Sequence, residues 1–398
     1  MEISSPILFI EINNSKYIFS VGEEDTEGDL KIIFKFIEPI QGIENSRITN
    51  LDLVIKIMKE NIYKIEQKMN FTFKETILII NNFNCSFLNL SGFKKLNGSQ
   101  ILKENITFIL NSLKSYLDET EEKKTILHIF NTKYSLDQKK IENLPIGLFG
   151  DFYSHELSFS LINNNDLKNL NIIFEKCNLK IKKILLKSFV EGSHLISVNK
   201  DNDTFFQIKI DHNNSQLSYF ENESLKFEQN FNFGSDLVLN DISQVTSLKI
   251  STIKKIFSNI DFSQGVFEDE LIEKKLFEGE NYIKIKKKLL LDIAKARIEE
   301  LLELMLIKNI NLLSFHKKNK TIFLNIYDKI HLKFFENIYS SILLEKNFLK
   351  LKFLDDLTTE DIINNANKLV HYGWKKEAIP ITHAKKSFLA KFFDVLFG

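Results

Sequence analysis

The stretch of sequence that decides the fold runs from Ile7 to Val21 and reads ILFIEI, then NNSK, then YIFSV. Two apolar runs that flank a polar, turn-prone tetrapeptide predict a β-hairpin. The apolar segment 31–36 predicts a third strand, and apolar residues at helical spacing over 51–69 predict a helix. The opening of the chain therefore predicts the order β-β-β-α.

The same order returns in the second half of the chain. Residues 205–220 read FFQIKI, then DHNNSQ, then LSYF, which predicts a second hairpin, and 226–228 predict its third strand. A helix is predicted to begin near Asp236. Two halves that share this order predict a duplicated α/β fold with a cleft between the halves. This plan is similar to that of the actin-like, or ribonuclease H-like, bilobal fold.

Further elements are predicted around these two repeats. Strands are expected near 76–80, 125–130 and 182–187, and helices over 99–118, 165–176, 290–308, 331–345 and 360–372.

Composition narrows the classes of function. The chain has 398 residues, which predicts two or more domains, and its 53 basic side chains balance 53 acidic ones, so no net field favours nucleic acid. Only 13 residues are glycine, whereas an average chain of this length has about 28. Loops that use glycine to bring the backbone close to phosphate groups are therefore few.

The cysteines, histidines and apolar runs indicate neither a metal site nor a membrane span. Cys85 and Cys177 lie far apart in sequence, so we expect two buried cysteines rather than a disulfide framework or a zinc knuckle. The eight histidines show no HExxH or HxxxH spacing, so no metal site is predicted. Since neither a secretory signal nor an apolar run of about 20 residues is present, we expect a soluble or peripheral protein.

A family resemblance becomes visible in the middle of the chain. Leu127-His128, Tyr134 to Asp137, Leu144 to Gly150 and His155 to Ile162 form a series that resembles the segment "ilH…y.lDg…I..PiGm.G..Le…hii" of the bacterial cell-division protein FtsA. Three further matches follow the order of that family, at Gln41–Asp52, at Phe233-Gly234 with Asn240–Ile242, and at Ile293–Leu302. The order and spacing of the matches carry the resemblance.

The resemblance implies an actin-like fold with an extra FtsA-type subdomain, used for self-association. It places the first lobe at 1–81 and 162–197, the extra subdomain at 82–161, the second lobe at 198–244 and 306–373, a smaller subdomain that binds the FtsZ tail at 245–305, and a linker with a membrane-targeting helix at 374–398.

The first of the two nucleotide hairpins implied by the resemblance is altered. An actin-like ATPase brings glycine-rich turns to the phosphates, since a Cβ in the turn would block their approach, and an acid in each hairpin holds magnesium-bound water. Here the acid is Glu11, and Asn13 and Asn14 occupy the turn in place of glycine.

The second hairpin departs further from the family. Lys209 stands where the family has an aspartate, and Asp211 and Asn213 lie in a turn without glycine. The third loop, 325–333, has no glycine either, and of the cleft's glycines Gly234 remains. We therefore expect ATP and magnesium binding to be weak or absent and hydrolysis to be negligible, so that the protein is not an enzyme. Lys209 either adds a compensating charge to a nucleotide or is an ion-paired or solvated strand lysine.

Arg297 is one of only two arginines in the chain, with Arg47. The resemblance implies that Arg297 and Glu300 lie on a helix that receives the C-terminal peptide of FtsZ, where a guanidinium can pair a carboxylate through two hydrogen bonds. The alternative is a surface pair on one helix, which contributes only about 0.3 kcal/mol.

The last residues of the chain predict an amphipathic helix. A step of 100° per residue gathers within an arc of about 140° the side chains of Phe388, Leu389, Phe392, Phe393 and Leu396. Phe397 follows them, and Lys385 and Lys386 precede them. Such a helix is too short to span a bilayer but suits the interface of an anionic membrane. The alternative is a terminal helix docked on the core of its own domain.

Together these features predict a cell-division protein that anchors FtsZ filaments to the cytoplasmic side of the inner membrane and helps assemble the septal ring at the division septum. The expected partners are the C-terminal peptide of FtsZ, further copies of the chain in a head-to-tail polymer or dimer, other divisome proteins and an anionic membrane surface, with no nucleic acid. The alternatives are a pilus-assembly protein similar to PilM and, from another class, an actin-like sugar kinase or chaperone ATPase.

Overall fold

The computed structural model describes residues 5–25, 29–44, 46–81, 83–260, 269–277, 279–313, 315, 321–326, 332–345 and 350–378. These residues form two compact units. The first unit holds the described residues of Met1–Asp203, Phe220–Glu228 and Leu357–Gly398, and the second holds those of Thr204–Tyr219 and Gln229–Asp356.

The strands of the described residues are, in chain order, β1 (Ile7–Ile12), β2 (Lys16–Glu24), β3 (Leu30–Pro39), β4 (Ile43–Glu44), β5 (Arg47–Ile48), β6 (Glu75–Ile80), β7 (Ser86–Lys95), β8 (Lys124–Leu136), β9 (Lys139–Ile141), β10 (Phe152–Asn163), β11 (Lys180–Leu186), β12 (Phe205–Ile210), β13 (Ser215–Glu221), β14 (Ser224–Phe231), β15 (Thr321–Ile326) and β16 (Lys350–Phe353).

The helices of the described residues are α1 (Leu51–Met69), α2 (Lys103–Thr120), α3 (Asn164–Lys176), α4 (Lys187–Val198), α5 (Asp236–Thr246), α6 (Ile250–Asn259), α7 (Lys287–Leu302), α8 (Leu332–Glu345) and α9 (Thr359–His371). A π turn, Glu303–Ile307, follows α7 directly.

Two five-stranded sheets carry the predicted duplication. One has the order β11-β6-β1-β2-β3, and the other has the order β16-β15-β12-β13-β14. In each, the central strand runs parallel to the next strand outward, as β1 does to β6 and β12 to β15. The duplicated actin-like α/β fold predicted from the two hairpins is therefore confirmed.

Local sequence sets the ends of the first long helix. The side chain of Asn50 accepts a hydrogen bond from the backbone N–H of Leu53 and so caps the N-terminus of α1. Asn70 adopts the left-handed conformation, with φ of 48°, and terminates the helix. Apolar residues at helical spacing, among them Val54 and Met58, form its buried face, and α1 packs on α3.

A third sheet, of four strands in the order β7-β10-β8-β9, belongs to the first unit. Helix α2 packs against β7. The buried side chains that join α2 to the sheet form two clusters, which comprise Leu110, Leu117, Ile129, Leu157, Phe159 and Leu161 in one and Leu96, Ile101, Ile109, Tyr134 and Tyr153 in the other. This sheet and α2 lie within the range that the resemblance assigns to the extra subdomain, whose boundaries stay predictions.

The structure corrects three details of the sequence analysis. Helix α2 begins at Lys103 rather than at 99, because the N–H of Ile101 donates to the carbonyl of Leu148 in a neighbouring loop. The predicted helix 290–308 is α7 only to Leu302 and then widens into the π turn. Cys85 and Cys177 are partly exposed instead of fully buried.

Several elements of the described residues were not predicted from the sequence, among them β7, β15, β16, α4 and α6. Among the described residues, no helix combines the length and the apolar character that crossing a membrane requires.

Candidate functional site

The first hairpin is closed by its own side chain. Oδ1 of Asn13 accepts hydrogen bonds from the backbone N–H groups of Ser15 and Lys16, both at 3.0 Å. The N–H of Asn13 in turn donates to the carbonyl of Lys16. Backbone amides of a turn are the groups that bind phosphate oxygens. Here two of them are already used by an Asx turn, while Asn14 is exposed at the tip.

Glu11, the acid of this hairpin, is also engaged. The residue is 4% exposed, and its Oε1 accepts hydrogen bonds from Nζ of Lys187 at 2.7 Å and from Nδ2 of Asn13 at 3.2 Å. Lys187 begins α4 and is itself largely buried, with 15% of its side chain exposed. Because an ammonium group is hydrogen-bonded to this carboxylate, a magnesium ion or its water would have to compete with Lys187 for it.

The second hairpin packs against the start of α5. The N–H of Ser235 donates to the carbonyl of Asp211 and that of Asp236 to the carbonyl of His212, each at 2.9 Å. Lys209, which precedes the turn in β12, is half-buried, and Asp211 and Asn213 are exposed. The amides that start this helix therefore donate to the hairpin itself.

Gly234 is required by that packing. A Cβ at this position would lie 2.1 Å from the carbonyl oxygen of Asp211 and 2.5 Å from that of His212. Since both contacts are with backbone, neither can be relieved by a side-chain rotation. Packing within the second unit therefore explains why position 234 is glycine, without reference to a nucleotide.

The third loop of the expected cleft lies mostly outside the described residues. Asn325, at the end of β15, donates from Nδ2 to the carbonyl of Leu354 at 3.0 Å. Of the residues that follow, 327–331 are outside the described part. The expectation of weak or absent nucleotide binding stays a prediction.

The motif that carries the family resemblance is a structural one. Oδ1 of Asp137 accepts hydrogen bonds from the N–H groups of Asp151 and Phe152, at 2.9 and 2.8 Å. Gly147 has φ of 88°, a left-handed conformation that favours glycine. Gly150 lies so close to Leu136 that a Cβ there would come within 2.4 Å of its side chain. These residues fold the loop before β10.

His155 and Glu156 are not an acid–base couple, because adjacent strand residues face opposite sides of a sheet. His155 is buried, and its Nε2 lies 2.9 Å from Oδ1 of Asn131. Glu156 accepts a hydrogen bond from Lys226, which also binds Glu221 at 2.9 Å. Strand β10 lies between β7 and β8, so both residues belong to an interior strand of the sheet.

Burial lowers the pKa of His155 to about 4. The ring is therefore neutral near pH 7, and Nε2 donates to Asn131. Its Nδ1 has no hydrogen-bond partner among the described residues. Within the same described part, no group of three or more His, Cys, Asp and Glu side chains is arranged to hold a metal ion.

Arg297 binds two carboxylates of the second unit. Its Nε donates to Asp241 on α5, and its Nη1 donates to Oε2 of Glu300 at 2.6 Å. The hydrogen bond to Asp241 raises the pKa of the Arg297 guanidinium. The partner Glu300 was expected from the sequence, whereas Asp241, 56 residues away, was not. A guanidinium has five N–H donors, so two hydrogen bonds leave donors for a further carboxylate.

An apolar surface borders the four-stranded sheet. Phe93 and Phe152, on neighbouring strands, stack with ring centroids 5.5 Å apart, and both are exposed. Phe149 in the adjoining loop is 69% exposed, and Lys94 lies over the ring of Phe108 at 4.4 Å. Exposed aromatic residues grouped in this way are typical of a surface that contacts another protein.

The residues predicted to bind a membrane, which are Lys385, Lys386, Phe388, Leu389, Phe392, Phe393, Leu396 and Phe397, lie outside the described residues. The membrane-targeting helix therefore stays a prediction.

The repeated sheet order and the two hairpins define an actin-like protein. No family model matches the sequence. A solved structure titled "PilM-PilN type IV pilus biogenesis complex" covers 92% of this chain and 95% of its own, with a TM-score of 0.50 at 8% identity, which shows likeness of fold alone.

Among curated proteins, the chain is similar to cell division protein FtsA. It is 25% identical over 303 residues to FtsA of Buchnera aphidicola subsp. Schizaphis graminum, covering 75% of this chain and 72% of that one. It is 20% identical over 302 residues to FtsA of Escherichia coli K12, covering 75% and 71%. The predicted resemblance to FtsA is thus confirmed, and these relatives support a cell-division protein of the actin-like class.

Proposed function

We propose that this chain is an FtsA-like scaffold that tethers FtsZ filaments to the cytoplasmic face of the membrane at the division septum. The observation that carries the proposal is the similarity to FtsA over about three quarters of the chain. Its work is binding and self-association, together with other division proteins, and not turnover of ATP.

The closed first hairpin supports a scaffold without ATPase activity. Binding a phosphate at this turn would require the amides of Ser15 and Lys16 to exchange their bonds to Asn13 for bonds to the ligand. Binding magnesium would require Glu11 to give up part of its pairing with Lys187. A largely buried ammonium group that loses its carboxylate partner, as Lys187 would, is strongly destabilised. Both costs oppose the binding of Mg-ATP.

The proposed site for the FtsZ tail is the Arg297 side of α7. Arg297 is held by Asp241 and Glu300, so its guanidinium is kept in one orientation before a peptide carboxylate arrives. Preorganisation of this kind lowers the entropy lost on binding. The proposed surface for self-association is the exposed group of Phe93, Phe149 and Phe152 beside the four-stranded sheet.

A vesicle recruitment assay tests the proposal. Full-length chain, FtsZ with GTP, and vesicles of phosphatidylglycerol and phosphatidylethanolamine are mixed and floated on a density gradient. We expect FtsZ to float only when the full chain is present and to remain at the bottom with a chain that ends at Thr382. If FtsZ floats equally well with that shorter chain, the proposed membrane helix is wrong.

The FtsZ contact is tested in the same assay by a charge reversal. The Arg297→Glu variant should itself float, but FtsZ should remain at the bottom of the gradient. Lys295→Glu is the matched control, since it makes the same charge change on α7 at a residue whose pairing with Glu345 is exposed. Failure of both variants to recruit FtsZ would indicate a general loss of positive charge, and success of both would remove Arg297 from the site. A full chain that floats but never carries FtsZ would contradict the proposed tethering of FtsZ.

A further inference from the structure

The residues after α9 are bound to the four-stranded sheet. The helix ends at His371, and Gly373, with φ of 74°, redirects the chain. Trp374 follows, and its Nε1 donates to the carbonyl of Glu223 at 2.9 Å. Its ring meets that of Phe189 on α4, edge to face, at 6.4 Å. This segment was expected to be a linker, but its first five residues, 374–378, make defined contacts.

Two backbone hydrogen bonds extend the sheet by a short strand. The N–H of Asn131 donates to the carbonyl of Lys376 at 2.6 Å, and the N–H of Ala378 donates to the carbonyl of Ile129 at 2.7 Å. Glu377 thereby pairs antiparallel with Phe130 of β8. Phe130 pairs on its other side with β10, so the segment lies along the same edge of β8 as β9 does further on.

The side chain of Glu377 is buried between a histidine and a lysine. Its Oε1 lies 2.8 Å from Nδ1 of His128 on β8, and its Oε2 lies 2.9 Å from Nζ of Lys183 on β11. Glu377 is 5% exposed and His128 is 1% exposed. Burial alone opposes ionisation of Glu377, but Lys183 and His128 outweigh it and lower the pKa of this carboxyl to about 2.

The two partners of Glu377 belong to different sheets. His128 lies on the four-stranded sheet, and Lys183 lies on the edge strand of the first five-stranded sheet. A single carboxylate therefore joins the two sheets of the first unit at one point. His128 is also part of the motif that carries the family resemblance, and this contact gives it a role in holding the chain.

We propose that residues Trp374–Ala378, here called the strap, bind β8 as an added strand and that Glu377 locks the strap through His128 and Lys183. The chain beyond Ala378 then starts from the four-stranded sheet and not from the end of α9. A force that acts on that part of the chain is transmitted first to β8. Through the pair of Glu377 with Lys183 it then reaches β11.

Hydrogen exchange of the full chain in solution, without membrane or FtsZ, tests the strap independently of the proposed function. Glu377→Gln keeps the shape of the side chain and removes its charge. We expect the amides of Asn131 and Ala378 to exchange about tenfold faster or more in this variant, while the amides of α1 keep their rates. Lys183→Gln, which removes the partner on the other sheet, should give the same local pattern.

Lys375→Gln is the matched control. It removes a pair between Lys375 and Glu223 in which the lysine side chain is 60% exposed, so exchange at Asn131 should stay within about twofold of the unaltered chain. Unchanged exchange in Glu377→Gln would overturn the lock. Equal acceleration throughout the first unit, α1 included, would overturn it as well, because Glu377 would then support the whole unit and not the strap.

Discussion

At the scale of single residues, one asparagine decides how the first hairpin is used. Glycine at position 13 would have no side chain, whereas Asn13 supplies an oxygen that accepts two backbone hydrogen bonds within the same turn. The substitution therefore does more than add a Cβ near a phosphate position. It gives the turn its own hydrogen-bond acceptor, which closes the turn and needs no nucleotide to do so.

Removing the side-chain oxygen of Asn13 should expose the turn amides. In Asn13→Gly, we expect the N–H groups of Ser15 and Lys16 to exchange about tenfold faster, because each loses its acceptor. Asn14→Gly is the control, since Asn14 is exposed at the tip and should leave these rates unchanged. Nuclear magnetic resonance or mass spectrometry of exchange at residues 13–17 measures the effect. Equal rates in both variants would contradict the Asx turn.

A second residue links stability to pH. His155 has a pKa of about 4 in the folded protein and 6.5 as the ordinary value, so the unfolded chain binds more protons between these values. Stability contributed by the neutral ring is present above about pH 6.5 and is lost as the pH falls toward 4. The pKa difference corresponds to about 3 kcal/mol.

The prediction for His155 compares unfolding as a function of pH. His155→Gln should lose less stability than the unaltered chain between pH 7 and pH 4, by up to about 3 kcal/mol, in chemical denaturation followed by circular dichroism. His371→Gln, at an exposed histidine, should lose as much stability as the unaltered chain over the same pH range. If the free energy of unfolding falls by the same amount in His155→Gln and in the unaltered chain, protonation of His155 does not cause the loss of stability between pH 7 and pH 4.

At the scale of elements, the second hairpin and α5 form one packed piece. The carbonyls of the hairpin turn accept the first amides of the helix, which is an alternative to the phosphate binding that a helix N-terminus can offer. Gly234 makes this close approach of two backbones geometrically feasible. The packing of the turn on α5 therefore explains both features. The turn can lack glycine because its carbonyls bind the helix amides, and position 234 keeps glycine because the two backbones lie so close there.

Gly234→Ala should consequently destabilise the second unit. The added Cβ would meet two carbonyl oxygens that belong to the backbone, so we expect a loss of about 1–3 kcal/mol. Gly150→Ala is the matched control, because its Cβ would meet the side chain of the half-buried Leu136, which can move aside. Thermal unfolding should show the larger decrease in Tm for Gly234→Ala. A smaller decrease than in Gly150→Ala would contradict the packing argument.

At the scale of the whole molecule, the duplicated sheets supply an actin-like framework, and the hairpin residues that were expected to lie near a nucleotide pair within their own unit. Asn13, Glu11 and the amides before α5 all have partners within their own unit. The parts that remain exposed, such as the Phe93 and Phe152 pair, are suited to contacts with other proteins. This distribution supports the proposed scaffold role.

A ligand series tests that conclusion on the full chain. We expect Mg-ATP, raised to 5 mM, to shift the Tm by less than about 1 °C, since a ligand stabilises only in proportion to its occupancy. The control is magnesium with inorganic phosphate at equal ionic strength. A saturable rise of several degrees with Mg-ATP alone would show that the hairpins still admit a nucleotide.

Patterns local in sequence predicted most of the fold. Strands β1, β2, β12 and β13 were expected from their apolar runs, and α1 and α9 from helical spacing. Strand β7 was missed because its residues are only partly buried and its sequence, SFLNLSGFKK, mixes polar and apolar side chains without strict alternation. Helix α2 was placed too early because contacts of Ile101 with a distant loop outweigh the local pattern.

The sequence by itself determined the repeated hairpins, the absence of glycine from their turns and the resemblance to FtsA, since each is visible in the order of neighbouring residues. Only the tertiary structure decided which polar groups pair with one another. Lys187 pairs with Glu11, Asp241 with Arg297, and both His128 and Lys183 with Glu377. The physical reason is that periodicity records which face of an element is buried, whereas the partner of a buried charge depends on how distant segments pack.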